Sequence, residues 1–251
     1  MTFRKTALAL IMAAPLVLAG CTKSDDTAAA TGAAPKGEAV AAVAAPAGKM
    51  WSDVVVATPE GGMLMGNANA PIKLLEYGSL SCPHCARLAN EGMAALRDKY
   101  VNSGRVSYEF RSFPIHGVID VPLTVMVKCA GPEAFFPLVE QIYMDQEALM
   151  TRAEQGNAQA QAAASLPPAQ RMPAIADAFG LTDWFAARGV STDQSHACLA
   201  NGAAAQAVAD QGEKWTNDGV NSTPTLVING TKLTAATWKE LEPALQNAGA
   251  R

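Results

Sequence analysis

The tetrapeptide Cys82-Pro83-His84-Cys85 sits where one hydrophobic period gives way to another, and this position constrains the fold more than any other feature. Before it, Ile72, Leu74, Leu75 and Tyr77 supply too many apolar positions for a half-exposed strand, so Ile72 to Tyr77 reads as a buried one ending at Gly78-Ser79. Behind it, Pro83 suits the first turn of a helix, and Leu88, Met93, Leu96 and Tyr100 carry an approximately helical apolar face. That pattern stops before Asn102-Ser103-Gly104. Val106, Tyr108 and Phe110 then alternate through Arg105 to Phe113, a second strand closed by Pro114. Strand, helix, strand is a βαβ unit, with the cysteines at its first strand-to-helix turn.

Upstream, Asp53 to Ala57 is a short β-branched run suited to an edge strand, broken by Gly61-Gly62. Downstream, over about 116–200, no strand pattern recurs. Ala, Gln, Met and Leu dominate there, and Pro132, Pro137, Pro167, Pro168 and Pro173 divide the segment into short helices. Strand chemistry returns at Thr225 to Ile228, turns at Asn229-Gly230, continues through Lys232 to Thr234, and gives way to a helix from about Ala236 to Ala248. There is no internal repeat. The order βαβ, helical insert, ββα implies one α/β unit interrupted by a helical subdomain.

The N-terminal part reads differently. Arg4 and Lys5 precede an apolar run from Ala7 to Ala19, the pattern of an export signal and too short to span a bilayer comfortably. Leu18-Ala19-Gly20-Cys21 resembles the lipobox of bacterial lipoproteins, which implies a signal peptide at 1–20 and a lipid anchor on Cys21. The alternative is an ordinary signal peptide cut near Ala19. From 21 to 50 the chain is Ala-rich with few bulky apolar residues, a composition expected to form a flexible tether before a domain at 51–251. The formal net charge of −4 comes from scattered charges, not a basic stripe, so nucleic acid is not expected as a partner.

Export would place the cysteines where disulfides persist. Of five cysteines, Cys21 is assigned to lipid, leaving Cys82 and Cys85 close together and Cys129 and Cys198 far apart. A thiolate on Cys82 would meet the unpaired N–H groups and positive end of the following helix, which lowers its pKa. His84 can add hydrogen-bond donation or charge beside it, and Pro83 gives up only an N–H that would have been unpaired. A better-stabilised reduced state makes a more oxidising disulfide. Cys85, one turn deeper, is expected to face inward and to leave when a substrate thiolate attacks Cys82, so it needs a proton. Glu76 could shuttle that proton if it faces inward; an exposed edge position is the alternative. A Cys-x-x-Cys can also be half a zinc site, but no second close ligand pair is present, and His116 and His196 read as surface residues. Neither a metal nor an organic cofactor is assigned.

With these residues in place, the chain resembles the DsbA-like branch of the thioredoxin superfamily over about Gly66 to Gly249. The likeness rests on Cys82-Pro83-His84-Cys85, on Glu76, and on Asn221-Ser222-Thr223-Pro224-Thr225 before the strand from Leu226. It implies a thioredoxin-like fold with an inserted helical subdomain. Cys82 would be the nucleophile, Cys85 its partner, Glu76 the buried acid, and Thr223 with a cis Pro224 the substrate-binding residues. Cys129 and Cys198 fall in or beside the insertion as candidates for a structural disulfide; two inert thiols are the alternative. The implied activity is disulfide donation to unfolded or reduced exported proteins in the bacterial periplasm, with reoxidation by a DsbB-like membrane partner. A reductase or isomerase served by a DsbD-like reductant and a peptide-binding lipoprotein without turnover are the competing readings.

Overall fold

The computed structural model describes residues 36–251 and the backbone of residues 30–31. The expected export segment and the Cys21 anchor lie outside the described residues.

The sheet comprises β1 (Ala30–Thr31), β2 (Val55–Ala57), β3 (Met63–Met65), β4 (Ile72–Gly78), β5 (Val106–Ser112), β6 (Thr225–Ile228) and β7 (Thr231–Lys232), in the order β1-β7-β6-β4-β5-β3-β2. Parallel β4 and β5 lie at its centre, and β6 runs antiparallel to β4. The period of two sorts β4 cleanly. Ile72, Leu74 and Glu76 point into the main core, whereas Tyr77 packs with Phe113, Trp215, Val220 and Val227 in a smaller cluster, joined by the partly buried Leu75. The β6–β7 hairpin turns on Asn229 and Gly230, both at positive φ (49° and 81°), the backbone that Asn-Gly adopts most easily.

Helix α1 (Pro83–Ala95) continues as a π-helical stretch at Leu96–Val101. It packs against α3 (Pro132–Met144) and α10 (Trp238–Asn247) of the helices that follow. Gly92 permits the second contact, because a Cβ there would lie 2.3 Å from the Trp238 ring. Between β5 and β6 lie α2 (Gly117–Cys129), α3, α4 (Gln146–Gln155), α5 (Asn157–Ala163), α6 (Pro168–Ala178), α7 (Leu181–Ala186), α8 (Thr192–Ala200) and α9 (Gly202–Asn217). This is the thioredoxin-like α/β fold with an inserted helical subdomain.

Two expectations need correction, and one strand was not anticipated. The helical insertion does not end near residue 200: the Asn201 side chain accepts from Ala203 N, so Asn201-Gly202 joins two helices and α9 runs on to Asn217. The tether does not extend to residue 50. Gly37 N donates to Asn247 O, Val40 N to Gly249 O and Val43 N to Ser103 O, and Arg105 Nε donates to Val40 O, so residues 36–50 are docked on the domain. Composition measures a segment's capacity to form its own core; it is blind to a neighbouring surface that supplies the partners. Finally, β3 lies just after the Gly61-Gly62 break and pairs with β5, a strand too short for its period to stand out.

Cys129, the last residue of α2, and Cys198 in α8 are joined by a disulfide that closes a 69-residue separation. Replacing both with Ala should lower the unfolding free energy by about 2 to 4 kcal/mol, read as a lower denaturant midpoint. An unchanged midpoint would mean that this bridge constrains nothing.

Candidate active site

Cys82 is the N-cap of α1, with an extended backbone (φ −78°, ψ 121°), and Pro83 occupies the first helical position. Pro83 fixes a helical φ and removes a donor that would have no partner. The remaining first-turn N–H groups of His84 and Cys85 point at the Cys82 sulfur. The thiol of Cys82 lies 3.4 Å from the Thr223 carbonyl, at the cis Thr223–Pro224 bond, and donates to it in the neutral state. Thr223 Oγ1 is buried and has no partner there, which leaves it able to donate to a thiolate.

These donors have a clear consequence for ionisation. Hydrogen bonding from Cys85 is the largest cause, with Thr223 and the two backbone N–H groups adding to it against desolvation, and together they pull Cys82 down to about 5. Cys85 is fully buried and goes the other way: desolvation first, then its bond to Cys82 and the charge of Glu76, hold it far above the ordinary thiol range. Both residues are free cysteines in this structure. His84 and Pro83 are exposed on the first turn, where His84 contributes its backbone N–H.

Glu76 faces inward and is 5% exposed. Its Oε2 accepts from the Tyr108 hydroxyl at 2.8 Å. Burial pushes Glu76 up to about 7 against the lowering effect of Tyr108, and the Cys82 charge raises it further. A carboxyl with that value can hold or release a proton near neutrality beside a thiol that must gain one.

The loop that carries Cys82 is tied down from the helical insertion. Tyr143 donates to Ser79 O at 3.2 Å, and Gln146 Nε2 donates to Leu80 O and Cys82 O at 2.8 and 3.1 Å. Asp120, 1% exposed, accepts from Ser79 Oγ, Ser81 N and His116 N. Sequence reading missed this set. Its one visible sign was Asp120 itself, a single carboxylate in the apolar run Val118 to Leu123. His116 is exposed, yet its Nδ1 lies 2.8 Å from Ser81 Oγ, so it is not a free surface histidine; His196 bonds Asp177 far along the chain. Among the described residues, no three His, Cys, Asp or Glu side chains converge to hold a metal ion.

A cysteine pair at the start of the first helix of this sheet, beside a cis-proline loop, defines the class as a thioredoxin-fold protein. The thioredoxin family profile matches residues 58–247, and the chain belongs to that family. The solved protein-disulfide isomerase of Novosphingobium aromaticivorans is 30% identical and superposes with a TM-score of 0.68 over 74% of this chain and 96% of that one. Wolbachia pipientis alpha-DsbA1, 18% identical with a TM-score of 0.58 over 74% of this chain and 89% of its own, shares the fold. A Rickettsia bellii protein named "Putative protein-disulfide oxidoreductase" is 31% identical over 88 residues, 35% of this chain and 34% of that relative. The chain thus matches about a third of the length of such curated relatives.

Two titrations test the site. The ultraviolet absorbance of the Cys82 thiolate in the reduced protein should titrate with a midpoint of about 5, absent in Cys82→Ser; a midpoint in the ordinary thiol range would contradict the donor arrangement. For Glu76, the native state retains a proton that the unfolded chain loses between roughly pH 4.5 and 7, so stability falls with rising pH across that window. Glu76→Gln, which keeps an acceptor for Tyr108, should flatten that fall and gain on the wild type at alkaline relative to acid pH. Parallel denaturation profiles for the two proteins would rule the titration out.

Proposed function

We propose that this protein is an exported disulfide donor, oxidising reduced envelope proteins through the Cys82–Cys85 pair. The observation that carries the reading is the opposition within the pair: the donors at the start of α1 hold Cys82 as a thiolate although it is only 4% exposed, while burial keeps Cys85 protonated. Stabilising the reduced form in this way makes the disulfide a stronger oxidant. In the cycle, a substrate thiolate attacks Cys82, the bond to Cys85 breaks, and Cys85 leaves with a proton supplied by Glu76, the buried carboxyl whose charge acts on it. A second substrate thiol then resolves the mixed disulfide and releases reduced Cys82. Thr223 and Pro224 would border the bound substrate chain.

The N-terminal pattern supports export to the periplasm, with Cys21 as the lipid anchor, and a DsbB-like membrane oxidant would restore the disulfide. The Novosphingobium relative is named an isomerase, which favours the competing direction, in which a DsbD-like reductant keeps the pair reduced. The reduction potential against glutathione separates the two. A donor should lie well above the value of about −270 mV typical of thioredoxin, and a thioredoxin-like value would overturn the proposal in favour of a reductase. Cys82→Ser should abolish oxidation of a reduced peptide, and Cys85→Ala should trap mixed disulfides on Cys82. A fully active Cys82→Ser protein would leave only the peptide-binding reading.

A further inference from the structure

The chain that leads from Cys21 is docked on one end of the domain. Gly37 N donates to Asn247 O and Val40 N to Gly249 O, at the C-terminal end of α10, and Arg251 donates back to Gly37 O. Val43 N donates to Ser103 O, Arg105 Nε to Val40 O, and Ser52 N to Asn102 Oδ1. Trp51 Nε1 ties the segment to itself through Val43 O at 2.7 Å. These partners lie at the end of α10 or in the turn 102–105, which joins the π-helical stretch to β5.

That end is the one remote from Cys82. Cys82 caps a helix that runs from Pro83 through Val101, about 25 Å long, and the turn 102–105 follows its last residue. Tyr100, near that last residue, bonds Glu242 and Gln246 of α10, which places the end of α10 there too. The sheet agrees. Val106, just after the turn, pairs with Ile72 at the start of β4, whereas Cys82 comes after Gly78 at its other end. Ala30 pairs with Thr231, Thr231 with Ile228, and Ile228 with Leu74. Since β1 is parallel to β7, and β7 to β4, Ala30 is the end of β1 farther from Cys82. Between Cys21 and Ala30 the chain reaches about 30 Å at full extension. Cys82 could be turned onto a bilayer holding Cys21 only if that length ran back along the domain.

We propose that the surface made by residues 43–50, the turn 102–105 and the end of α10 faces the bilayer that holds the lipid on Cys21, so that Cys82 points away from it into the aqueous compartment. The proposal rests on the lipid-anchor reading of Cys21. Val43 and Met50, 44% and 57% exposed, are the large apolar side chains that this end offers to a bilayer surface. The opposite end has exposed apolar side chains of its own in Ile115, Val118 and Met144, close in the chain to His116, which bonds Ser81, and to Gln146, which bonds Cys82 O. Pressed against lipid, that end would close Cys82 to a polypeptide substrate. The point where the anchored chain docks selects the other end for the membrane.

The test uses the lipidated full-length protein added to phosphatidylcholine vesicles with an acceptor dye on their headgroups. One sample carries a donor dye on Cys82; another carries it on Met50→Cys in a protein with Cys82→Ala and Cys85→Ala. Energy transfer should place the dye at position 50 about 25 Å closer to the lipid than the dye on Cys82, the length of the helix between the two ends. Lys99→Cys in the same background, on the last turn of that helix, should read as position 50 does. Equal heights, or a Cys82 dye nearer the lipid, would overturn the orientation. The anchor has a separate readout, since Cys21→Ser should no longer sediment with the vesicles. A Cys21→Ser protein that stays bound, or a mature protein whose mass carries no lipid, would overturn the anchor reading and the orientation with it. A lipidated protein with Cys82 against the bilayer overturns the orientation alone.

Discussion

A charge on Cys82 is affordable only because donors already wait for it. The first turn of any helix leaves N–H groups without intrahelical partners, and at α1 Pro83 removes one of them while His84 and Cys85 direct theirs to sulfur. A helix terminus alone contributes about 0.3 to 1 kcal/mol toward an anion, too little to bring a thiol near 5. The larger part comes from Cys85 and from Thr223, whose hydroxyl is buried without another partner. The site therefore depends on two distant chain segments meeting at one sulfur, with the sheet register between β4 and β6 setting that meeting.

That register explains the role of the inserted helices. In the loop from Ser79 to Cys82, Gln146 supplies the partner of the Leu80 carbonyl, and Tyr143 and Gln146 add second bonds from the insertion to the Ser79 and Cys82 carbonyls, which also accept from Cys82 N and Ala86 N. Asp120 satisfies the Ser81 N–H from the same side. A buried polar group without a partner costs about 1 to 3 kcal/mol, and the Leu80 carbonyl would become one if Gln146 were lost. The insertion is thus part of the cysteine's support, beyond any role as a covering surface.

Much of this was legible in the sequence. The periods of β4, α1 and β5 and the Asn229-Gly230 turn follow from local pattern, because each element buries one face and its side chains show it. Cys82, Cys85 and Pro224 were readable because their chemistry depends on position relative to those elements. The Asp120 network was not, since Ser79, Ser81 and His116 have no distinguishing pattern and meet only through the path of the chain after β5. The docking of residues 36–50 was hidden for a related reason. Gly37 and Gly249 allow a backbone approach so close that a Cβ on either would lie 2.4 or 2.3 Å from a carbonyl oxygen, and no composition rule registers such a fit.

Two buried carboxylates flank the redox pair, and their partners assign them different work. Glu76 has one described donor, Tyr108, so desolvation dominates and its proton remains available near neutrality. Asp120 has Ser79, Ser81 and His116 as donors, and although burial raises its pKa too, those three bonds oppose the rise. Glu76 is thereby left poised to exchange a proton, whereas Asp120 anchors the donors that converge on it. The two carboxyl groups reach the neighbourhood of Cys82 from different elements, Glu76 from β4 and Asp120 from α2.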